Sequence, residues 1–410
     1  MKNKVLQYAL IASITGFLFG FDSVVISGVN LPLKHLWKTS DWFHGTFIIS
    51  ISLWGMVVGS LLGGYPTEKL GRKKTLLGVG VLFTISAIGA ALATGPTMFS
   101  FFRFIGGVSA GVGSIAAPAY MSEIASAHNR GRLGMLFQLN IVSGILMAFV
   151  SNYFLIGVGG ADDWRWMLGI MAIPAGIYTL LLLTIAESPR WLQQTLVPQE
   201  KVGLFSGKYN RVLLLSFLIA FFNQFSGISF ILFYAPEIME KAGWGTAQSL
   251  LSSVFIGLVN LVFTIAGMYL IDRIGRRQLM YIGSLGYIIS LSMVAICFYN
   301  GITAGFTLLF ILIFMMSHAI GQGAVIWVFI TEIFPTRVRA YGQSWGSGML
   351  NGFAGLVTSF GAVVINAFSP WTIFAGFALL MVGQLLFTRF MMPETRGVSL
   401  EELEQKLTSA

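Results

Sequence analysis

Long apolar stretches, broken at short intervals by charged or glycine-rich turns, fill this chain from one end to the other. A helix crossing the hydrocarbon of a bilayer needs about 20 mostly apolar residues. Runs of that kind lie at roughly 7–29, 44–66, 74–94, 97–121, 133–156, 167–186, 211–235, 249–271, 278–299, 306–330, 341–367 and 371–391. The pattern predicts an all-α membrane protein with twelve transmembrane helices, six in each half. Nothing between the runs is long enough for a separate soluble domain.

The polar punctuation repeats too. Gly63 to Lys74 reads GGYPTEKLGRKK, and Gly267 to Arg277 reads GMYLIDRIGRR. Glu123 to Arg130 (EIASAHNR) returns as Glu332 to Arg339 (EIFPTRVR) at nearly the same interval, about half the chain. Two related halves explain both coincidences, so two pseudo-symmetric six-helix bundles are expected. The corresponding domains are residues 1–190, a short cytoplasmic linker 191–210, residues 211–392 and a cytoplasmic tail 393–410. The tail sequence PETRGVSLEELEQKL reads as an amphipathic helix opened by a capping box, Ser399 before Glu402.

Composition agrees: 56% of residues are apolar and 10% charged, and the 48 glycines suit closely packed membrane helices. The formal net charge of +9 would suggest nucleic acid were it spread evenly. Instead Lys and Arg crowd the turns of one side, whereas Lys34, Lys38, Arg165 and Lys241 alone mark the other. That asymmetry places both termini in the cytoplasm of a multi-pass protein in the cell membrane, and speaks against nucleic acid as a partner. The single cysteine, Cys297, excludes an intramolecular disulfide and argues against a cysteine metal site. No cleavable signal peptide precedes the first apolar run. No nucleophile–base constellation or metal-ligand cluster stands out, so neither an enzyme nor a cofactor is expected.

A few polar groups lie inside apolar runs, where they are costly and point to function. Asp22 interrupts GFLFGFDSVVISG, and Arg103 begins RFIGGVSAG. Arg cannot relieve its burial by losing a proton, whereas Asp can relieve its own by gaining one. The pair therefore has the makings of a proton-coupling switch, with a permanent structural ion pair as the alternative. Gln138 in the fifth run should face a cavity or another helix. His318 in the tenth reads as a packing histidine more readily than as a pore-lining proton group.

The strings RFIGGVSAG, PAYMSEIASAHNRGR, AESPRWL, NQFSGISFILFYAPEIM, DRIGRR, ITEIFPTRVRA and PETRGVSLEELE resemble the sugar porter branch of the major facilitator superfamily. The resemblance runs from about Gly16 to Glu404. It implies that Asp22 and Arg103 follow the pattern of proton symporters. It further implies a cytoplasmic gate of Arg72, Glu123, Arg130, Arg276, Glu332 and Arg339, for which interfacial anchoring is the plainer reading. Sugar binding is implied for Gln138, Asn223, Gln224, Ser229, Tyr234, Asn260 and Trp327. Carboxamides there can both donate to and accept from hydroxyls, and aromatic rings can cover the apolar face of a pyranose.

The chain departs from the pattern in several places. Phe233 lacks the hydroxyl of a paired tyrosine, Ile145 stands where some relatives carry a second glutamine, and a polar–aromatic pair falls on Leu350 and Asn351. The linker is shorter than usual. The expectation is proton-coupled symport of a monosaccharide, a hexose or pentose, by a monomer whose coupling ion is the proton. A facilitative sugar or polyol carrier and a non-transporting sugar sensor are the alternatives.

Overall fold

The computed structural model describes residues 2–125, 130–194, 204–205, 207–335, 338–398 and 400–408. Every regular element among them is helical. Eleven helices are long and apolar enough to cross a membrane: Lys4–Gly28, Arg72–Ala91, Pro96–Ile124, Leu133–Leu155, Gly160–Leu183, Asn210–Lys241, Thr246–Ile274, Arg276–Tyr299, Ala304–Ile333, Tyr341–Ala367 and Pro370–Phe390. A further pair, Asp41–Ile49 and Ile51–Leu62, meets at 44° and makes one broken span, second in order. Counting that pair once gives twelve spans, numbered here in chain order, as the apolar runs predict.

Local chemistry sets where the spans begin and bend. Pro96 and Pro370 open the fourth and twelfth spans, where a missing N–H costs nothing. Pro236 sits inside the seventh, and Tyr234 just before it leaves helical geometry, so this span is kinked. Two spans contain a wider π-turn, His44–Ile49 in the second and Ala319–Gly323 in the tenth. Such turns recur at functional sites.

The chain divides into two compact units. The first is Met1–Gln199 with Thr358–Ala362, and the second is Glu200–Val357 with Val363–Ala410. Within the first unit, span one packs most extensively on span five, and span two on span four. Gly107 permits the latter approach, because a Cβ there would overlap the backbone of Ser52. Within the second unit, span nine packs on twelve, and seven on eight. Large apolar side chains point outward, Leu379 at 73% exposure and Phe390 at 77% among them, as befits a surface bathed in lipid. The helix Leu400–Thr408 buries Leu403 and Leu407 in the core cluster of the second unit, beside Val212, Phe334 and Val338. Ser399, the expected cap of this helix, lies outside the described residues.

Candidate functional site

Asp22 and Arg103 meet inside the first unit. They are 1% and 2% exposed, so water screens their charges little. Arg103 Nη1 donates to Asp22 Oδ1, and Nη2 donates to the Asp22 backbone carbonyl at 2.8 Å. The second carboxylate oxygen is taken by Ser52, whose hydroxyl donates to Oδ2 at 2.6 Å. Arg103 Nε is buried with no partner. Three helices thus supply the site: span one the acid, span four the cation and span two the hydroxyl. The contact to the backbone carbonyl is independent of the charge on the acid. Neutralising Asp22 would loosen the side-chain contact while the guanidinium stayed moored to span one.

Gln138, also in the first unit, has its Oε1 buried without a hydrogen-bond partner. A buried acceptor left open in this way costs about 1–3 kcal/mol and is an invitation to a hydroxyl or water.

The repeated basic motifs fold into two copies of one arrangement. In the first unit Arg72 Nη2 and Nε reach Glu123 Oε1 at 2.8 and 3.1 Å, and Arg72 Nη1 donates to the Thr67 carbonyl at 3.1 Å. In the second, Arg276 Nη2 and Nε reach Glu332 Oε1 and Oε2 at 2.8 and 3.2 Å, and Nη1 donates to the Ile271 carbonyl at 3.2 Å. A hydroxyl completes each pair: Ser188 donates to Glu123 Oε2, and Thr395 to Glu332 Oε2 at 2.6 Å.

A further acid caps the helix that starts at each arginine. Glu187 accepts from the backbone N–H of Arg72 and of Lys73, each at 3.0 Å, and Glu394 accepts from those of Arg276 and Arg277 at the same distances. A carboxylate at a helix N-terminus satisfies orphan donors and opposes the positive end of the dipole. Gly71 and Gly275 form the turns, with φ of 94° and 101°, and a Cβ at either would strike the capping carboxylate. Arg339, expected in the same network, donates to the Phe334 carbonyl at 3.3 Å. The side chain of Arg130, likewise expected there, lies outside the described residues.

In the second unit the structure joins three of the expected sugar-binding residues. Ser229 donates to Gln224 Oε1 at 2.5 Å, and Gln224 Nε2 donates to Asn223 Oδ1 at 2.8 Å. Asn223 in turn donates to Gln322 Oε1 at 3.0 Å. Tyr234 is wholly buried at the kink of span seven, and Asn260 is buried with its Oδ1 3.4 Å from Thr264. Trp327 packs against the core cluster that holds Leu350. Asn351 is buried, 3.5 Å from Ser347 Oγ. His318 Nδ1 lies 2.6 Å from the Tyr287 hydroxyl, which fits a helix-packing histidine.

Several members of these sites escape the sequence reading: Ser52, Glu187, Ser188, Glu394, Thr395, Gln322 with Gln384, whose Oε1 accepts from Gln322 Nε2 at 2.6 Å, and Tyr287. The acids carried a usable signal, since AESPR and PETRG each place Glu and a hydroxyl residue just after the last span of a half.

The protein-family model described as "Sugar (and other) transporter" matches residues 8–200 and 199–407. A D-xylose-proton symporter of Escherichia coli (strain K12) is 31% identical over 98% of this chain and 96% of its own length. An arabinose-proton symporter of Bacillus subtilis (strain 168) is also 31% identical, over 98% of this chain and 94% of its own. Among solved structures, the inward open conformation of the xylose transporter XylE from E. coli superposes with a TM-score of 0.86. It is 29% identical, and the match covers 98% of this chain and 99% of that one.

Proposed function

Because the chain belongs to the family of sugar (and other) transporters, we propose that it carries a monosaccharide, a hexose or pentose, across the cell membrane together with a proton. The halves 1–190 and 211–392, joined by the linker 191–210 and followed by the tail 393–410, alternate in opening the site to either side. Both termini face the cytoplasm, following the charge asymmetry of the turns, and one chain suffices.

The observation that carries the coupling is the dry contact of Asp22 with Arg103. In the unprotonated carrier the carboxylate is held by the guanidinium and by Ser52. A proton from outside neutralises Asp22 and weakens its tie to Arg103. The carrier then closes over sugar, and release of the proton inside re-forms the pair. The empty carrier returns with the acid charged and paired. The sugar-binding residues of this reading are Gln138, Asn223, Gln224, Ser229, Tyr234, Asn260 and Trp327. The clusters of Arg72 with Glu123 and of Arg276 with Glu332, with Arg130 and Arg339, form the cytoplasmic gate.

Proteoliposomes test this directly. Adding sugar outside should make the external medium more alkaline, one proton entering with each sugar. Sugar entry without a pH change would mean a facilitative carrier, for sugar or polyol. Binding without flux would mean a sensor.

A further inference from the structure

Side chains from four spans of the second unit form one run of hydrogen bonds, and its far end fixes its direction. Ser284 donates to the Met280 carbonyl at 2.7 Å. A carbonyl can only accept, and a hydroxyl has a single proton. Ser284 Oγ must therefore accept from its other neighbour, Gln384 Nε2, at 2.9 Å. That turns the Gln384 carboxamide so that its Oε1 accepts from Gln322 Nε2 at 2.6 Å. Gln322 Oε1 is then the atom left to accept from Asn223 Nδ2. The remaining two steps, Gln224 to Asn223 and Ser229 to Gln224, follow in the same sense. Turning any single amide would bring two N–H groups or two carbonyls face to face.

The run is dry: Ser284, Gln322 and Gln384 are all 0% exposed or nearly so. Inside a low-dielectric core an unmatched polar pair is at its most costly, which makes the direction hard to reverse. A second contact reinforces it, since the Tyr287 hydroxyl donates to the same Gln322 oxygen at 3.2 Å. With its proton so used, that hydroxyl accepts from His318 Nδ1. The π-turn at Ala319–Gly323 carries Gln322 on the tenth span.

We propose that Gln322 and Gln384 are positioning residues that fix the donor–acceptor sense of Asn223, Gln224 and Ser229, and so select the hydroxyl pattern of the monosaccharide. The inference rests on the sugar-binding reading of span seven. Its content is specific. The Ser229 proton is committed to Gln224, so toward a sugar Ser229 can only accept. The nitrogens of Asn223 and Gln224 each keep a second proton, so they donate. A substrate hydroxyl at Ser229 Oγ must donate, while one at the nitrogen of either carboxamide must accept.

Fluorine in place of a hydroxyl can accept weakly but cannot donate, which makes the sense measurable. The probe is whichever hexose or pentose the proteoliposomes accumulate, with its monodeoxy and monodeoxyfluoro analogues as competitors. In the unaltered protein, at least one position should prefer the fluoro over the deoxy analogue. Gln384→Leu and Ser284→Ala cut the run far from the sugar. Each should raise KM about tenfold, one ordinary hydrogen bond's worth, leave kcat within about twofold, and erase the fluoro-over-deoxy preference. Ser284→Ala removes one oxygen, so it decides the matter if Gln384→Leu fails to fold.

Gln224→Ala is the control. If it raises KM while both remote variants keep the original preference, the positioning role is overturned and the sugar site stands. If Gln224→Ala leaves KM unchanged, or no sugar binds or enters, the reading of span seven fails as well.

Discussion

Ser52 gives its hydroxyl proton to Oδ2 of Asp22, the carboxylate oxygen that Arg103 leaves open. A proton taking the Oδ2 lone pair that Ser52 occupies reverses that bond, and Ser52 turns from donor to acceptor. Asn at this position resembles the protonated acid: its oxygen can face Arg103 while its nitrogen donates to Ser52. Asp22→Asn should therefore abolish accumulation against a gradient and spare exchange of labelled for unlabelled sugar. Retained accumulation by the variant in proteoliposomes would remove Asp22 from the coupling step.

The same geometry sets a stability expectation. Arg103→Leu leaves a buried carboxylate without its cation, a defect worth about 3–5 kcal/mol. Asp22→Asn combined with Arg103→Leu removes both charges and should recover most of that loss. Thermal unfolding in detergent reads the difference. Equal melting temperatures for the single and double variants would mean that an Asp22 left without its cation carries no penalty.

Gln138→Ala separates binding from packing. Its Oε1 has no protein partner, so truncation removes an unsatisfied acceptor and should leave the sugar-free melting temperature unchanged or slightly higher. KM should rise tenfold or more, because the site loses a hydrogen bond made to substrate. A lower melting temperature with unchanged KM would assign Gln138 to helix packing instead.

The turn glycines should tolerate no side chain. Gly71→Ala and Gly275→Ala each meet a positive φ and a capping carboxylate, and a strained backbone alone costs about 1–3 kcal/mol. Gly64, with open space around its Cβ position, is the comparison. Yield of monodisperse protein and melting temperature should fall for the first two and hold for Gly64→Ala.

Much of this was legible in the chain because membrane burial writes coarse signals. Runs of apolar residues marked the spans, and Asp22 and Arg103 stood out against them since charge is rare at such depth. The recurrence of the Arg72 and Glu123 motifs as Arg276 and Glu332 announced the two clusters. Ser52 was silent for a physical reason. A serine in a membrane helix can bond back to its own turn, and its neighbour in ISISLWG looks no different. Gln322 sits in GQG and Gln384 in VGQLL, and neither string reveals that the two side chains meet across helices. Pro236 accounts for the kink at Tyr234, whereas the π-turns have no proline to mark them.

Each capping acid lies at the end of its half: Glu187 follows the sixth span and Glu394 the twelfth, yet they fasten helices begun far upstream at Arg72 and Arg276. A growing polypeptide therefore inserts three or more spans before either fastening can close. Until the ribosome has delivered Glu187, the amides that open the third span lack the carboxylate that caps them in the folded protein. Assembly is sealed from the rear, once for each half.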